Sequence, residues 1–571
     1  MVRLFDEHKK SHVYSLDGTW RFAIDPEDFG ESQGWQNGLT SSDAVAVPSV
    51  WNTEIGLLDY EGYGWYEKKF YCDEGGAMRI TFEAVMTAAD IWLDGVRLEG
   101  HYGGFCQFER IVRVEAGEHR LTVRADNRFD EHSIPQAKVD WFHYGGIPRS
   151  VSYEILSGIS VLGNHLVYEL SEDLKSLSAH FELELYNARE VESTSPILAR
   201  LGGRIVYSDE ITMGAGQYRT LCTPEFTLDS VHLWDMEDPY LYEISIETDT
   251  HDLIDRVGFR KIEARDGQIL LNGRVIEVRG VNRHEEHPEF GFAFPDSLMK
   301  RDIDIIVNMG ANSVRGSHYP NSRRFVDLLD ERGILFWSEI PIWGGGFSEE
   351  ALGDELVVRR ALDMHAEMLK YYYNHPSIII WGMHNEILTS TEAAYSLSER
   401  CYKFLKEKGG GRLVVYATDK PFTDICFEFC DVMCLNRYHG WYGEDGIDSW
   451  GARIDEIREL RSKLGFERKP VIISEFGAAA IYGNHTFDCV RWSEEYQAEL
   501  IGHCIDLFHR DPMIAGSFIW QLCDIRTASE MGLNRARSFN NKGLLSEYRK
   551  PKAAYFAVKE RFWAFKKKEK Q

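Results

Sequence analysis

The chain has 571 residues, more than one hydrophobic core usually encloses, so about two to four domains are expected. Apolar residues make up 44% and charged residues 27%, the balance of an ordinary soluble globular protein. The formal net charge of −27 excludes the basic footprint that nucleic acid or an anionic membrane requires, and obliges any anionic ligand to be met by local cations.

The amino terminus, Met1 to Glu7, has no apolar core and no small-residue cleavage site, so no signal peptide is expected. No run of about 18 apolar residues occurs, and no transmembrane helix is expected. Ten cysteines in a chain this long do not form a disulfide framework. Cys426, Cys430 and Cys434 lack the C-x2-C pairing of zinc sites, and they read as core thiols in a reducing cytoplasm.

From Asp17 to about Leu156 short strands alternate with turns. Ile80 to Ala84 alternates apolar with polar, Ala89 to Leu93 turns at Asp94-Gly95, and His119 to Asn127 alternates again. No long helical period appears, which predicts a jelly-roll β-sandwich over residues 1–157. Residues 158–264 continue in strands, with His180 to Asn187 and Leu241 to Thr248 the clearest, and predict an immunoglobulin-like β-sandwich. That second domain carries no reactive cluster and reads as a spacer.

After Leu271-Asn272-Gly273 apolar runs alternate with helical periods, the pattern of βα units. Eight strand candidates follow: Val275 to Val281, Ser313 to Arg315, Ile334 to Trp337, Ile378 to Trp381, Leu413 to Tyr416, Val432 to Leu435, Val471 to Ile473 and Ser517 to Trp520. Helical stretches such as Leu298 to Asn308, Ser322 to Arg332 and Leu356 to Tyr373 fill the gaps. Residues 265–571 are therefore expected to form a TIM (β/α)8 barrel, whose chemistry sits at the carboxyl ends of its strands. Two runs stop at a glutamate in such a place. Asn374-His375-Pro376-Ser377-Ile378-Ile379-Ile380-Trp381-Gly382-Met383-His384-Asn385 leads to Glu386, and Pro470-Val471-Ile472-Ile473-Ser474 leads to Glu475. Two carboxylates so placed are what glycoside hydrolysis needs, and no metal or other cofactor is then required. The lysine-rich tail from Lys566 to Lys570 reads as a solvated helix end or a disordered tail.

The first of these strings resembles the acid/base signature of glycoside hydrolase family 2. Asn312 to Pro320, followed by Phe325-Val326, Asp330 and Gly333 to Trp337, resembles a second family signature, with Gly316 where a small polar residue or alanine is usual. The resemblance covers essentially the whole chain. It implies Glu386 as general acid/base, Glu475 as nucleophile, retention of configuration, and Asn385 on the sugar 2-hydroxyl. It also implies that Trp520 lines the sugar site; His318 and His284 are mouth residues by position, His318 read as a substrate contact and His284 left open between contact and core. Leu435-Asn436-Arg437-Tyr438-His439-Gly440-Trp441-Tyr442 is similar to a β-glucuronidase segment that sets Tyr438 beside the nucleophile and Tyr442 near the sugar carboxylate, and Asn436 within it is a further candidate substrate-binding residue. Asn540-Asn541-Lys542 resembles the Asn-x-Lys motif that binds that carboxylate, with Arg535 a further basic contact. Asp140, in the loop Asp140 to Ile147, would reach the substrate from the first domain.

The resemblance implies a β-glucuronidase acting on small-molecule or oligosaccharide glucuronides, expected in the cytoplasm and as a homo-oligomer (dimer or tetramer). Met383 and His384 depart from the residues common in β-glucuronidases, which keeps a β-galacturonidase open and, behind it, a β-galactosidase. A non-catalytic carbohydrate-binding protein on the same fold is the alternative of another class, disfavoured by the presence of Glu386, Glu475, Asn385 and Tyr438. The short connection from Trp343 to Leu356 predicts an open entrance.

Overall fold

Alternating side chains turn the first third of the chain into two facing sheets. The computed structural model, which describes residues 8–344, 346–528, 531 and 535–569, sets a four-stranded sheet (Tyr14–Ser15, Val151–Leu156, Gly76–Phe82, Phe108–Val114) against a larger one built on Gly18–Asp25, Tyr63–Cys72, Gly117–Asp126 and Ala88–Leu93. Trp20, Tyr66, Phe82, Ile91 and Val123 fill the space between them. This is the expected jelly-roll sandwich. The immunoglobulin-like sandwich follows. One sheet is built on Ile159–Leu170 and Leu177–Asn187; the other contains Ser193–Leu201, Arg204–Met213, Tyr242–Glu247 and Asp252–Val257. Phe181, Leu183, Ile197 and Ile244 pack its core.

The barrel is closed by eight parallel strands: β1 (Val278–Arg283), β2 (Ser313–Gly316), β3 (Leu335–Glu339), β4 (Ile378–Asn385), β5 (Leu413–Thr418), β6 (Met433–Asn436), β7 (Val471–Phe476) and β8 (Ile514–Ile519). Every strand is buried throughout except at Ala515, which is why runs such as Ile378 to Trp381, Leu413 to Tyr416 and Val471 to Ile473 are apolar without alternation. The first strand begins later than the apolar run suggests. Val275 belongs to a small antiparallel sheet (Ile262–Arg265, Gln268–Leu271, Arg274–Ile276) whose Ile269, Leu271 and Ile276 pack with Trp337, Val415 and Phe518 of the barrel. Glu277, between the two, is drawn to His509 at 2.9 Å and marks the change of direction. Gly316 has a steric cause: a β-carbon there would lie 2.6 Å from the Phe336 ring.

Two joints fix the barrel against the sandwiches. Asn374, at the foot of β4, accepts from Leu166 N at 2.9 Å and donates to Asp255 at 2.9 Å, both in the second domain. Arg260 donates to Pro376 O at 3.0 Å, and His375 meets Asp330 at 2.5 Å. The strand that ends at Glu386 is thus anchored at its start, so the second domain does more than space the others. At the other joint Tyr144 of the jelly roll donates to Glu286 at 2.7 Å, and Arg149 pairs with Glu285 at 3.2 Å. The buried Trp141 ring lies among His284, His318 and Trp343. Among the described residues no helix is long and apolar enough to cross a membrane.

Candidate active site

A cleft of about 330 Å³ opens at the carboxyl ends of the barrel strands. Asp140, His318, Trp343, Glu386, Asp419, Asn436, Arg437, Tyr438, His439, Tyr442, Glu475, Trp520, Met531, Arg535 and Lys542 line it. Ten of these are among the twelve residues singled out from sequence; Asn385 and Asn540 stand directly behind.

Glu386 follows the last residue of β4 in left-handed backbone, φ 52°, a conformation that costs a residue with a β-carbon about 1–3 kcal/mol. The chain at Gly344 braces it: Gly344 N donates to Asn385 O, and a β-carbon on Gly344 would lie 1.5 Å from the Glu386 carbonyl oxygen. Asn436, closing β6, donates to Glu386 Oε1 at 2.6 Å. Burial, then the charges of Glu475 and Asp419, lift the Glu386 carboxyl well above the ordinary carboxylate range.

Glu475, near the end of β7, has other company. Arg315 Nη1 donates to Oε1 at 2.8 Å and Tyr438 Oη donates to Oε2 at 2.7 Å. Burial raises this carboxyl too, but Arg315 and Tyr438 oppose the rise. The pair is therefore asymmetric: Glu386 is pushed further up than Glu475, the direction that sets a proton donor apart from a charged partner in a carboxylate pair.

Arg315, on β2, was quoted in a motif but given no role by sequence reasoning. It is fully buried over the Trp337 ring and donates to Glu339, Glu475, Asn385 Oδ1 and Asn282. Its placement at a strand's carboxyl end was the available signal. His318 Nδ1 donates to Glu339 at 2.7 Å, and burial with the nearby Arg315 drives its pKa well down, so its ring is neutral. The ring stacks on Trp520 with centroids 5.1 Å apart. His284 stands edge-on to the same Trp520 ring at 5.4 Å and bonds Tyr319 Oη at 3.2 Å. Asn385 accepts from Arg315 at 2.8 Å and from Asn436 at 3.1 Å, while its own Nδ2 is buried with no partner among the described residues.

The opposite wall is basic. Lys542 Nζ donates to Tyr442 Oη at 2.7 Å, and Arg535 Nη1 donates to the same oxygen at 3.3 Å. Burial alone would raise the Tyr442 phenol; Lys542 and Arg535 hold it below its ordinary value. Asp140 reaches this wall from the jelly roll, but its carboxylate is engaged: Arg535 pairs with it at 2.5 Å and Asn540 Nδ2 donates to it at 2.8 Å. Among the described residues Lys542 forms no ion pair, so this wall holds two cations and one carboxylate.

Met383 and His384 lie outside the cleft. Both are buried, His384 bonds Ser398 Oγ at 2.8 Å, and burial lowers its pKa to about 3. They pack β4 against its helical layer, so their departure from the usual residues does not touch the site. In the Trp343–Leu356 connection Phe347 and Leu352 turn into the core. The thiols of Cys426, Cys430 and Cys434 are buried against backbone carbonyls.

Three sequence models of one family match the chain in order. They are the glycosyl hydrolases family 2 sugar binding domain over residues 13–156, the glycosyl hydrolases family 2 model over 165–260, and the family's TIM barrel domain over 262–567. A β-glucuronidase from Streptococcus agalactiae is 28% identical over 97% of this chain and 96% of its own. A crystal structure of a family 2 β-galacturonidase from Eisenbergiella tayi, bound to galacturonate, superposes with a TM-score of 0.91 at 32% identity and covers 99% of both chains. A β-glucuronidase from Ruminococcus gnavus superposes with a TM-score of 0.87 at 27% identity over 98% of this chain and 99% of that one.

Proposed function

We propose that this chain, which belongs to glycoside hydrolase family 2, is a retaining β-uronosidase that releases terminal β-D-glucuronic acid from glucuronides. Family membership makes it a glycoside hydrolase; the uronic acid and the stereochemistry are our reading. One observation carries it: Lys542 and Arg535 converge on Tyr442 in the cleft that holds Glu386 and Glu475. A pyranose with its anomeric carbon at Glu475 would turn its C6 carboxylate to that wall, where charge-assisted bonds await it.

In this reading Glu475 attacks C1 while Glu386 gives its proton to the glycosidic oxygen. The C1–oxygen bond to the carboxylate forms as the bond to the leaving group breaks. Esterification removes the charge of Glu475, one of the causes that raise the Glu386 pKa. Glu386 then becomes the base for water, which attacks C1 and frees Glu475 with configuration retained. The unpartnered Nδ2 of Asn385 is the donor we assign to the sugar 2-hydroxyl. The stacked His318–Trp520 wall suits the C–H face of the ring. Asp140 acts by holding Arg535 and Asn540 in place. Among the described residues all ten cysteines are unpaired, eight of them buried, which supports a reducing cytoplasm as its compartment.

A β-galacturonide, the C4 epimer, is the second reading, favoured by the likeness to the Eisenbergiella tayi enzyme. Four aryl glycosides decide: β-glucuronide, β-galacturonide, β-glucoside and β-galactoside. The glucuronide is expected to be fastest, with both uronides ahead of the neutral sugars by about 10²-fold or more in kcat/KM. Fastest turnover of the galacturonide selects the second reading, and preference for a neutral sugar, or no turnover of either uronide, removes the uronate assignment.

Glu386→Ala separates the two glutamates. It is expected to slow alkyl glucuronides far more than activated aryl ones, because only poor leaving groups need the proton. Wild-type activity should fall at high pH as Glu386 loses its proton, and at low pH as Glu475 gains one. The variant should lose the alkaline limb for activated substrates; equal losses on both substrate types would remove Glu386 from the acid role.

A further inference from the structure

We propose that Lys552 and Asp524 are positioning residues that set the distance between the nucleophile and the carboxylate-binding wall; this rests on the reading of Lys542 as the cation that meets a uronate. Lys552 and Asp524 are both wholly buried and form an ion pair at 2.8 Å outside the cleft. A buried pair of this kind is seldom the most stabilising filling for its space, since apolar residues of similar volume do as well or better. What it supplies is direction. Lys552 Nζ donates to Asn541 O at 3.1 Å, the peptide just before Lys542. Asp524 Oδ1 accepts from Gly543 N at 2.9 Å, just after Lys542. The same ammonium donates to Ala480 O at 2.7 Å, on the stretch that leaves β7 five residues beyond Glu475.

The ion pair therefore ties both flanks of Lys542, one through each partner, to the continuation of the nucleophile's strand. Further bonds complete the tie. Ala480 N donates to Asn541 O at 3.0 Å and Gln521 N donates to Lys542 O at 3.1 Å. Gln497, on the helix Glu494–Arg510, donates to Ala478 O at 2.9 Å and to Gly543 O at 3.0 Å. Gly543 is held so closely that a β-carbon would lie 2.2 Å from Asp524 N. The need for such a ruler is chemical. In a pyranosiduronic acid the anomeric carbon and the C6 carboxylate are held by a rigid ring. A site that reads both must fix Lys542 against Glu475 to a fraction of an ångström. A neutral sugar presents no carboxylate and is indifferent to that spacing.

The test compares wild type, Lys552→Met and the double variant Lys552→Met with Asp524→Leu. An aryl β-glucuronide and the matching β-glucoside serve as substrates, with single-turnover rates where steady turnover is slow, and thermal unfolding is recorded for each protein. The double variant removes the charge from both partners, so no unpaired ion stays buried. In both variants kcat/KM for the glucuronide is expected to fall by about 10²-fold, mostly through KM, and that for the glucoside by less than about threefold. Equal losses on the two substrates, full retention of glucuronide preference, or a double variant that does not fold would assign the pair to the fold and overturn the proposal. Wild-type preference for the glucoside would instead remove the uronate reading on which it rests.

Discussion

Glu475→Ala is expected to lower kcat on an aryl β-glucuronide by about 10⁴-fold or more, the largest effect of any single replacement in the cleft. The covalent route needs a carboxylate at this point, and among the described residues no other side chain bonds both Arg315 and Tyr438. The loss should not come from unfolding. Arg315 keeps two bonds to Glu339, at 2.9 and 3.0 Å, and so is not left as an unpaired buried cation. Circular dichroism and the melting temperature should accordingly stay close to wild type. Azide offered to the variant gives a sharper check. It can enter the space left by the carboxylate and attack C1 from that face, so the glycosyl azide should carry the inverted, α configuration. Wild-type enzyme quenched during turnover should gain the mass of one uronosyl unit, and the variant should not. An α-configured first product from wild type, read by proton NMR before mutarotation, would overturn the retaining mechanism.

The barrel and both glutamates were legible because each depends on a short, local pattern. A strand buried on both faces must be apolar for its whole length, so β4 and β7 announce themselves, and a glutamate that interrupts such a run needs a reason. The first barrel strand was less legible, because the apolar run through Val275 and Val281 crosses from an antiparallel sheet into a parallel one at Glu277 without a turn residue. Arg315 escaped assignment for a different cause. Its five donors are shared among groups on four other strands, Asn282, Glu339, Asn385 and Glu475, and no window of sequence contains that convergence. The same holds for Asp140. Its loop pointed to the active site, yet the carboxylate's partners, Arg535 and Asn540, lie 395 and 400 residues away. The left-handed backbone of Glu386 was also invisible, since nothing in Asn385-Glu386-Ile387 prefers it; the chain at Gly344 packs directly against it, far from it in any local window.

Lys542→Ala is expected to cut kcat/KM on an aryl glucuronide by about 10²-fold or more, while the matching aryl glucoside loses little or gains. The sign follows from charge. The chain as a whole carries −27 and repels an anionic sugar, so attraction must be local. At the basic wall Asp140 balances Arg535, which leaves Lys542 as the charge without a counterion among the described residues. A uronate supplies that counterion and a neutral sugar does not. A charge-assisted hydrogen bond contributes about 1.5–3 kcal/mol, and each ~1.36 kcal/mol is a factor of ten. Removing the ammonium also leaves the substrate carboxylate unpaired in a buried position, which enlarges the loss. The loss stays finite because Arg535 still reaches the Tyr442 oxygen at 3.3 Å and can turn part of its charge to the substrate. Lys542→Arg is expected to recover only part of the activity, since a planar fork cannot replace a compact ammonium held over the Tyr438 and Tyr442 rings at 5.3 and 4.9 Å. The ratio of the two kcat/KM values is the quantity to read. If it is unchanged in Lys542→Ala, the lysine supports the loop and reads no carboxylate, and the substrate's acid must be sought elsewhere in the cleft.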